Sequence, residues 1–261
     1  MKYQDKLYYT DELNDEVVDF AVNAKKIDGS YKYFHKNPFY KLGEFFMYRL
    51  FAKPVVWFYL KFKGVKIINR KVLKQCKKGG YFVYANHTQQ LMDGFHPTYT
   101  CYHKKPHIIC SADNVSMGFI GKLTPLWGAV PLPDTIDATR NFNAKLEEIL
   151  KANNPIIIYP ERHMWPYYTK IRPFDDKSFR YPAKYNKPIF TFTTTYTKKK
   201  EGKKPRTTIY VDGPFYPDAT LPVNEQRKQL RDWAYNKMCE RSTNSNYEYL
   251  HYIQENKPSL N

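Results

Sequence analysis

Residues 155–159 read Pro-Ile-Ile-Ile-Tyr, a run with no polar side chain to turn toward water. A half-exposed strand alternates apolar with polar residues, whereas an unbroken apolar run suits a strand covered on both faces. The cover is usually helical, which asks for a parallel sheet with helices on each side. From Gly64 onward the chain supplies this pattern, with short apolar runs alternating with stretches of helical spacing. Strands are expected over residues 65–68, 81–85, 107–110, 129–132, 155–159, 188–196 and 207–211. Helices are expected over 93–103, most of 114–126, 136–152 and 224–242. In the third of these Phe142, Leu146, Ile149 and Leu150 form the inner face, and in the last Leu230, Trp233, Ala234 and Met238 do. The expected fold is α/β, with a mostly parallel central sheet flanked by helices.

Ahead of that alternation the sequence has a different character. Residues 1–37 are polar, with at most a short helix around 11–24, and no chemistry is assigned to them. From Pro38, polar positions recur at helical spacing and leave Leu42, Phe45, Phe46, Leu50 and Phe51 on an apolar side. Pro54 then permits a second helix, through Leu60. This N-terminal aromatic amphipathic helical arm either packs on the domain's own core or lies among lipid headgroups. Lys41, Glu44, Arg49, Lys53 and Lys61 interrupt it, so it does not qualify as a spanning helix, which wants about twenty mostly uncharged residues. The 261 residues suit one α/β domain with an added arm better than two comparable domains. The expected division is a 1–63 extension with membrane-associating helices, a 64–243 α/β domain and a loosely held 244–261 tail.

The net charge of +17 favours anionic partners, whether membrane lipid, nucleic acid or a phosphorylated substrate. No nucleic-acid-binding module is recognisable and the basic residues are spread along the chain, so no nucleic acid is expected. The lysine-rich link at 198–206 reads as a solvated hairpin loop. No basic leader with an apolar core and cleavage site opens the chain, so export is not expected. The four cysteines include no C-x-x-C pair, which argues against a zinc or redox site and for reduced thiols in a cytosolic setting.

Chemistry is best sought where strands end, since open α/β sheets gather their ligands there. Residues 81–85 deliver Asn86-His87, with Asp93 close behind. The His–Asp spacing by itself is uninformative, because His107 and Asp113 repeat it. His107, however, sits within a predicted strand, and Asp113 resembles a helix N-cap. Two further segments fall at strand ends, namely residues 128–133 and the Tyr159-Pro160-Glu161-Arg162-His163-Met164-Trp165 stretch. No Gly-x-Ser-x-Gly elbow is present, against a serine hydrolase. No third ligand accompanies His163 and Glu161, so no metal is expected.

Over residues 65–237 these blocks resemble the glycerolipid acyltransferases, in particular the 1-acylglycerol-3-phosphate acyltransferases. Asn86-His87 with Asp93 stands for the family's first motif, and Tyr159-Pro160-Glu161 for its third. Pro173-Phe174 matches the pair that follows, and Asn186-Lys187-Pro188-Ile189 the fourth block. Three features depart from the family. Five residues, not four, separate His87 from Asp93. On an unbroken helix neither spacing would align the two side chains, so a turn must join them. Arg162-His163-Met164 replaces the family's Gly-Thr-Arg, and residues 128–134 lack the usual arginine.

The resemblance implies that His87 is the general base and Asp93 its partner, with Asn86, Glu161, Arg162, His163 and Arg172 binding substrate. Arg140, Lys177 and Arg180 are further candidates for the acceptor's phosphate. The implied reaction moves a fatty acyl group from acyl-CoA or acyl-acyl carrier protein to a lysophospholipid, with no other cofactor. The implied setting is cytoplasmic and peripheral, on the inner face of the cell membrane and against anionic lipid, which favours the lipid reading of the arm. A non-catalytic lipid-binding protein on the same fold is the alternative, motivated by the altered motifs, and an amine acceptor stays open.

Overall fold

A computed structural model describes residues 5–17, 23–35, 37–101, 104–202 and 204–255. Its centre is a seven-stranded sheet. In chain order the strands are β2 (Lys66–Ile68), β3 (Tyr81–Ala85), β4 (His107–Cys110), β5 (Ala129–Pro131), β6 (Pro155–Ile158), β7 (Ile189–Thr197) and β8 (Arg206–Phe215). Across the sheet the order is β2-β8-β7-β3-β6-β4-β5. The five strands from β7 to β5 run parallel, and only β7 and β8 pair antiparallel, through the lysine-rich hairpin. The fold is therefore α/β with a mostly parallel sheet, as the 155–159 run required.

β3 and β6 lie side by side in the middle, and each of their residues is buried. Alternate side chains serve opposite faces. Phe82, Tyr84, Ile156 and Ile158 meet α6 (Ile136–Lys151) and α8 (Val223–Ser242) through Phe142, Leu146, Ile149, Leu230, Ala234 and Met238. Tyr81, Val83, Ala85 and Ile157 pack on the other face with Phe190, Phe192 and Cys101, which follows α3 (Met92–Thr100). Trp233, expected inside, is only partly buried and stacks on Phe215. The predicted 93–103 helix ends at Thr100, and its last two residues lie outside the described ones. The helical stretch expected near 114–126 is broken into α4 (Asp113–Ser116), α5 (Gly118–Leu123) and a 3-10 turn, with Gly118 at φ +52° making the break.

α1 (Pro38–Phe46) and α2 (Lys53–Lys63) are joined through a π-helical segment, Met47–Ala52. Tyr48, Val56 and Leu60 are buried, while Phe39, Phe45, Phe51, Phe58 and Phe62 stay exposed. α2 packs on α3, so the arm sits on the sheet face shared with Val83 and Ala85. No helix among the described residues is long and apolar enough to cross a membrane.

Both flanking segments depart from expectation. Residues 11–17 and 23–24 are not helical, and 18–22 lie outside the described residues. The first segment is an irregular extension that sends Ile27 and Tyr33 into the core, with Ile27 N–H donating to Asp134 and Tyr33 O–H to the Pro131 carbonyl. The tail is held as well. β9 (His251–Gln254) pairs in parallel with β1 (Lys6–Tyr9), and Leu250 is buried. Extended segments fixed by single aromatic contacts carry no periodicity, so nothing in their sequence announces them.

Candidate active site

β3 is too deeply buried to vary its path, and at its end it releases two polar residues. Asn86 is 1% exposed and takes up the ladder where the strand pairing stops. Its side-chain amide donates to the Thr194 carbonyl at 3.0 Å and accepts from Thr194 N–H at 2.8 Å, imitating one more residue of β3 against β7. His87 follows with its side chain one-quarter exposed.

The chain then turns back on Asp93 in the first turn of α3, where the helix N-terminus favours a carboxylate. Asp93 Oδ2 lies 2.8 Å from His87 Nδ1 and accepts from the backbone N–H groups of Thr88 and Gln89, each at 2.8 Å. The extra residue in the His–Asp spacing is absorbed in that turn. An ionised carboxylate can only accept, so a neutral imidazole in this pairing carries its proton on Nδ1 and its lone pair on Nε2. Tyr159 flanks the pair, its ring 4.6 Å from the imidazole and its hydroxyl donating to the Asp93 carbonyl at 2.5 Å. That carbonyl is available because Pro97, four residues on, has no N–H to offer it. Burial pushes the Tyr159 phenol well above its usual range.

Glu161 is 2% exposed and binds backbone on both sides. Its Oε2 accepts from His87 N–H and its Oε1 from Arg172 N–H, each at 2.9 Å. Burial raises its carboxyl above the usual range, against the pull of the Arg172 guanidinium and the two N–H donors. Arg172 is fully buried, lies over the Trp165 ring, and donates to the carbonyls of Glu161, His163 and Glu12. The loop from Glu161 is zipped to the turn after β3, since Trp165 and Tyr167 N–H donate to the His87 and Thr88 carbonyls.

The sequence-predicted residues thus divide. His87, Asp93, Asn86, Glu161 and Arg172 come together, and the last three are enclosed and bonded to main chain. Arg162 and His163 keep partly open side chains, Arg162 pairing with Asp175 and His163 Nδ1 lying 3.7 Å from Glu16. Lys177 shares Asp175, Arg140 pairs with Asp137, and Arg180 donates to the Tyr181 hydroxyl. β5, which opens the 128–133 block, is at the sheet edge, three strands and so about 14 Å from β3. Among the described residues no cluster of three or more His, Cys, Asp or Glu could hold a metal ion.

Some contributors had no sequence signal. Glu12 caps Arg172 with its carbonyl and accepts from the Tyr168 hydroxyl, and Trp165 Nε1–H donates to the Asp15 carbonyl. His96 is different, because its position three residues after Asp93 places it on the same side of a helix.

A family model described as Acyltransferase matches residues 64–194, a stretch that runs from the end of α2 into β7 and includes His87, Asp93 and Glu161. The chain belongs to the acyltransferase family. Its fold is that of a solved acyltransferase: the crystal structure of the 1-acyl-sn-glycerophosphate (LPA) acyltransferase PlsC from Thermotoga maritima matches with a TM-score of 0.52 and 18% identity. The match covers 80% of this chain and 91% of that one, and at such identity it speaks for the fold alone. Among curated proteins none matches. An acyltransferase needs an acyl donor and an acceptor.

Proposed function

We propose that this acyltransferase moves a fatty acyl group from a thioester to the hydroxyl of a lysophospholipid, 1-acylglycerol-3-phosphate being the favoured acceptor, in phospholipid biosynthesis. The observation that carries this is the 2.8 Å contact between His87 Nδ1 and a buried Asp93, made by a side chain that is itself one-quarter exposed. His87 Nε2 takes the proton as the acceptor oxygen attacks the thioester carbonyl carbon. The tetrahedral intermediate then expels the thiolate, which recovers that proton from the imidazolium. Asp93 fixes the tautomer and stabilises the imidazolium while it exists, so no acyl-enzyme is needed. Asn86, Glu161 and Arg172 act by holding the turn that presents His87. Arg162 and His163, still partly open, are the groups we assign to the acceptor's phosphate.

The donor is acyl-CoA or an acyl-acyl carrier protein, and no further cofactor or metal is invoked. The arm supports a peripheral place on the inner face of the cell membrane. Phe39, Phe58 and Phe62 are 80%, 65% and 88% exposed, with Lys61 over the Trp57 ring and Lys63 over Tyr59. Exposed rings rimmed by lysine suit an interface that is apolar below and anionic above.

The test is to incubate the purified protein with labelled acyl thioesters and a panel of lyso-lipids, and to identify products by mass spectrometry. His87→Ala should abolish transfer while the protein stays folded. Substantial turnover in that variant would remove the base assignment. Liposome binding without transfer to any acceptor would favour the non-catalytic lipid-binding reading instead.

A further inference from the structure

α3 carries a second imidazole one turn after Asp93, and the reaction as proposed does not use it. His96 is fully buried, and neither Nδ1 nor Nε2 has a hydrogen-bond partner. Asp93 Oδ1 is equally buried and equally unpartnered, although Oδ2 of the same carboxylate holds three contacts. The two orphans face each other, with His96 Nε2 3.7 Å from Asp93 Oδ1. That separation is too long for a hydrogen bond and too short for a water between them. Burial keeps His96 neutral, pulling its pKa down to about 4 against the raising effect of Asp93.

Leaving buried polar atoms unpaired is costly, and each native case calls for a reason. A leucine or phenylalanine could fill this site beside Phe192, whose ring lies 6.2 Å from the imidazole. The imidazole offers what those cannot, one N–H aimed at the open oxygen. We propose that His96 is a positioning residue for the His87–Asp93 pair, closing on Asp93 Oδ1 with its Nε2–H as positive charge forms on His87. This rests on His87 being the base. A neutral donor suits the task better than a cation. It keeps the carboxylate from rotating away from His87 and stabilises its anion, yet leaves the full negative charge to face the imidazolium. An arginine or lysine at this position would cancel that charge.

Two substitutions separate this role from mere packing. His96→Leu removes the donor, and His96→Gln keeps an N–H at about the reach of Nε2. His96→Leu should lower kcat about tenfold, or about 1.4 kcal/mol of barrier, with KM changed less than twofold. His96→Gln should retain most of kcat. His96→Phe, which preserves the ring contact with Phe192, replaces the leucine variant if that one melts early. In proton NMR the His87 Nδ1–H resonance should move in the Leu or Phe variant and return toward the parent position in the Gln variant. A folded Leu or Phe variant with parental kcat and an unmoved resonance would overturn the assignment, as would a Gln variant as impaired as the Leu one. If the parent shows no His87-dependent transfer, the functional reading fails by itself, and the resonance still decides whether His96 positions the pair.

Discussion

Glu161→Gln tests whether the carboxylate of the third block builds the site or binds substrate. Glu161 accepts from two backbone N–H groups, one on each flanking segment, in a place that is 2% exposed. The substitution turns one of its oxygens into a donor. At least one of the two N–H groups, on His87 or Arg172, then faces another N–H with no water to intervene. The guanidinium of Arg172 also loses the negative charge beside it. A hydrogen bond to a charged group contributes about 1.5–3 kcal/mol, and here one is weakened and the other reversed, for a loss of about 3 kcal/mol. In a domain of this size that lowers the melting temperature by about 6–12 °C. Because the His87 N–H is one of the two, kcat should fall too, while KM for the acceptor stays close to parental. Differential scanning calorimetry and steady-state kinetics read both effects. A variant that melts within about 2 °C of the parent and shows a raised acceptor KM with intact kcat would mean that Glu161 contacts substrate and that the enclosed geometry misleads.

Three further outcomes follow from the same geometry. Asp93→Asn places an amide where three donors converge and frees His87 to adopt the wrong tautomer, so kcat should drop about a thousandfold or more in the transfer assay. Replacing Phe45, Phe58 and Phe62 together by serine should reduce partition onto anionic vesicles about tenfold or more while the far-UV circular dichroism is unchanged, since all three rings are already in solvent. His96 has a folded-state pKa of about 4 against an ordinary 6.5, so the unfolded chain binds the extra proton first as pH falls. Stability that is complete above pH 6.5 should decline between there and about pH 4 by as much as about 3 kcal/mol, and urea unfolding of His96→Phe should show a shallower decline.

How much of this was legible beforehand varies with how local the cause is. The Ile156–Ile158 run and the inner face of α6 report their burial through composition and spacing, because each residue's neighbours along the chain are also its neighbours in space. His87 and Asp93 were readable for a related reason, as both lie on one turn. The roles of Asn86, Glu161 and Arg172 were not, because residue type says what a side chain can bond to and nothing about whether water reaches it. These three polar groups, named from the sequence as substrate ligands, bond main chain in the fold. Segments 5–17, 23–35 and 244–255 were opaque for a different reason. Ile27, Tyr33 and Tyr252 are held by partners far along the sequence, and an extended strand of mixed residues leaves no period to detect.

A proline within α3 would ordinarily be counted as a defect. At Pro97 the absent amide hydrogen leaves one acceptor unclaimed inside the helix, and the phenol of Tyr159 occupies it. Two stretches of chain some sixty residues apart are thereby fastened beside the imidazole by a vacancy, and an alanine there, by restoring the helix's own bond, would put it in competition with that fastening.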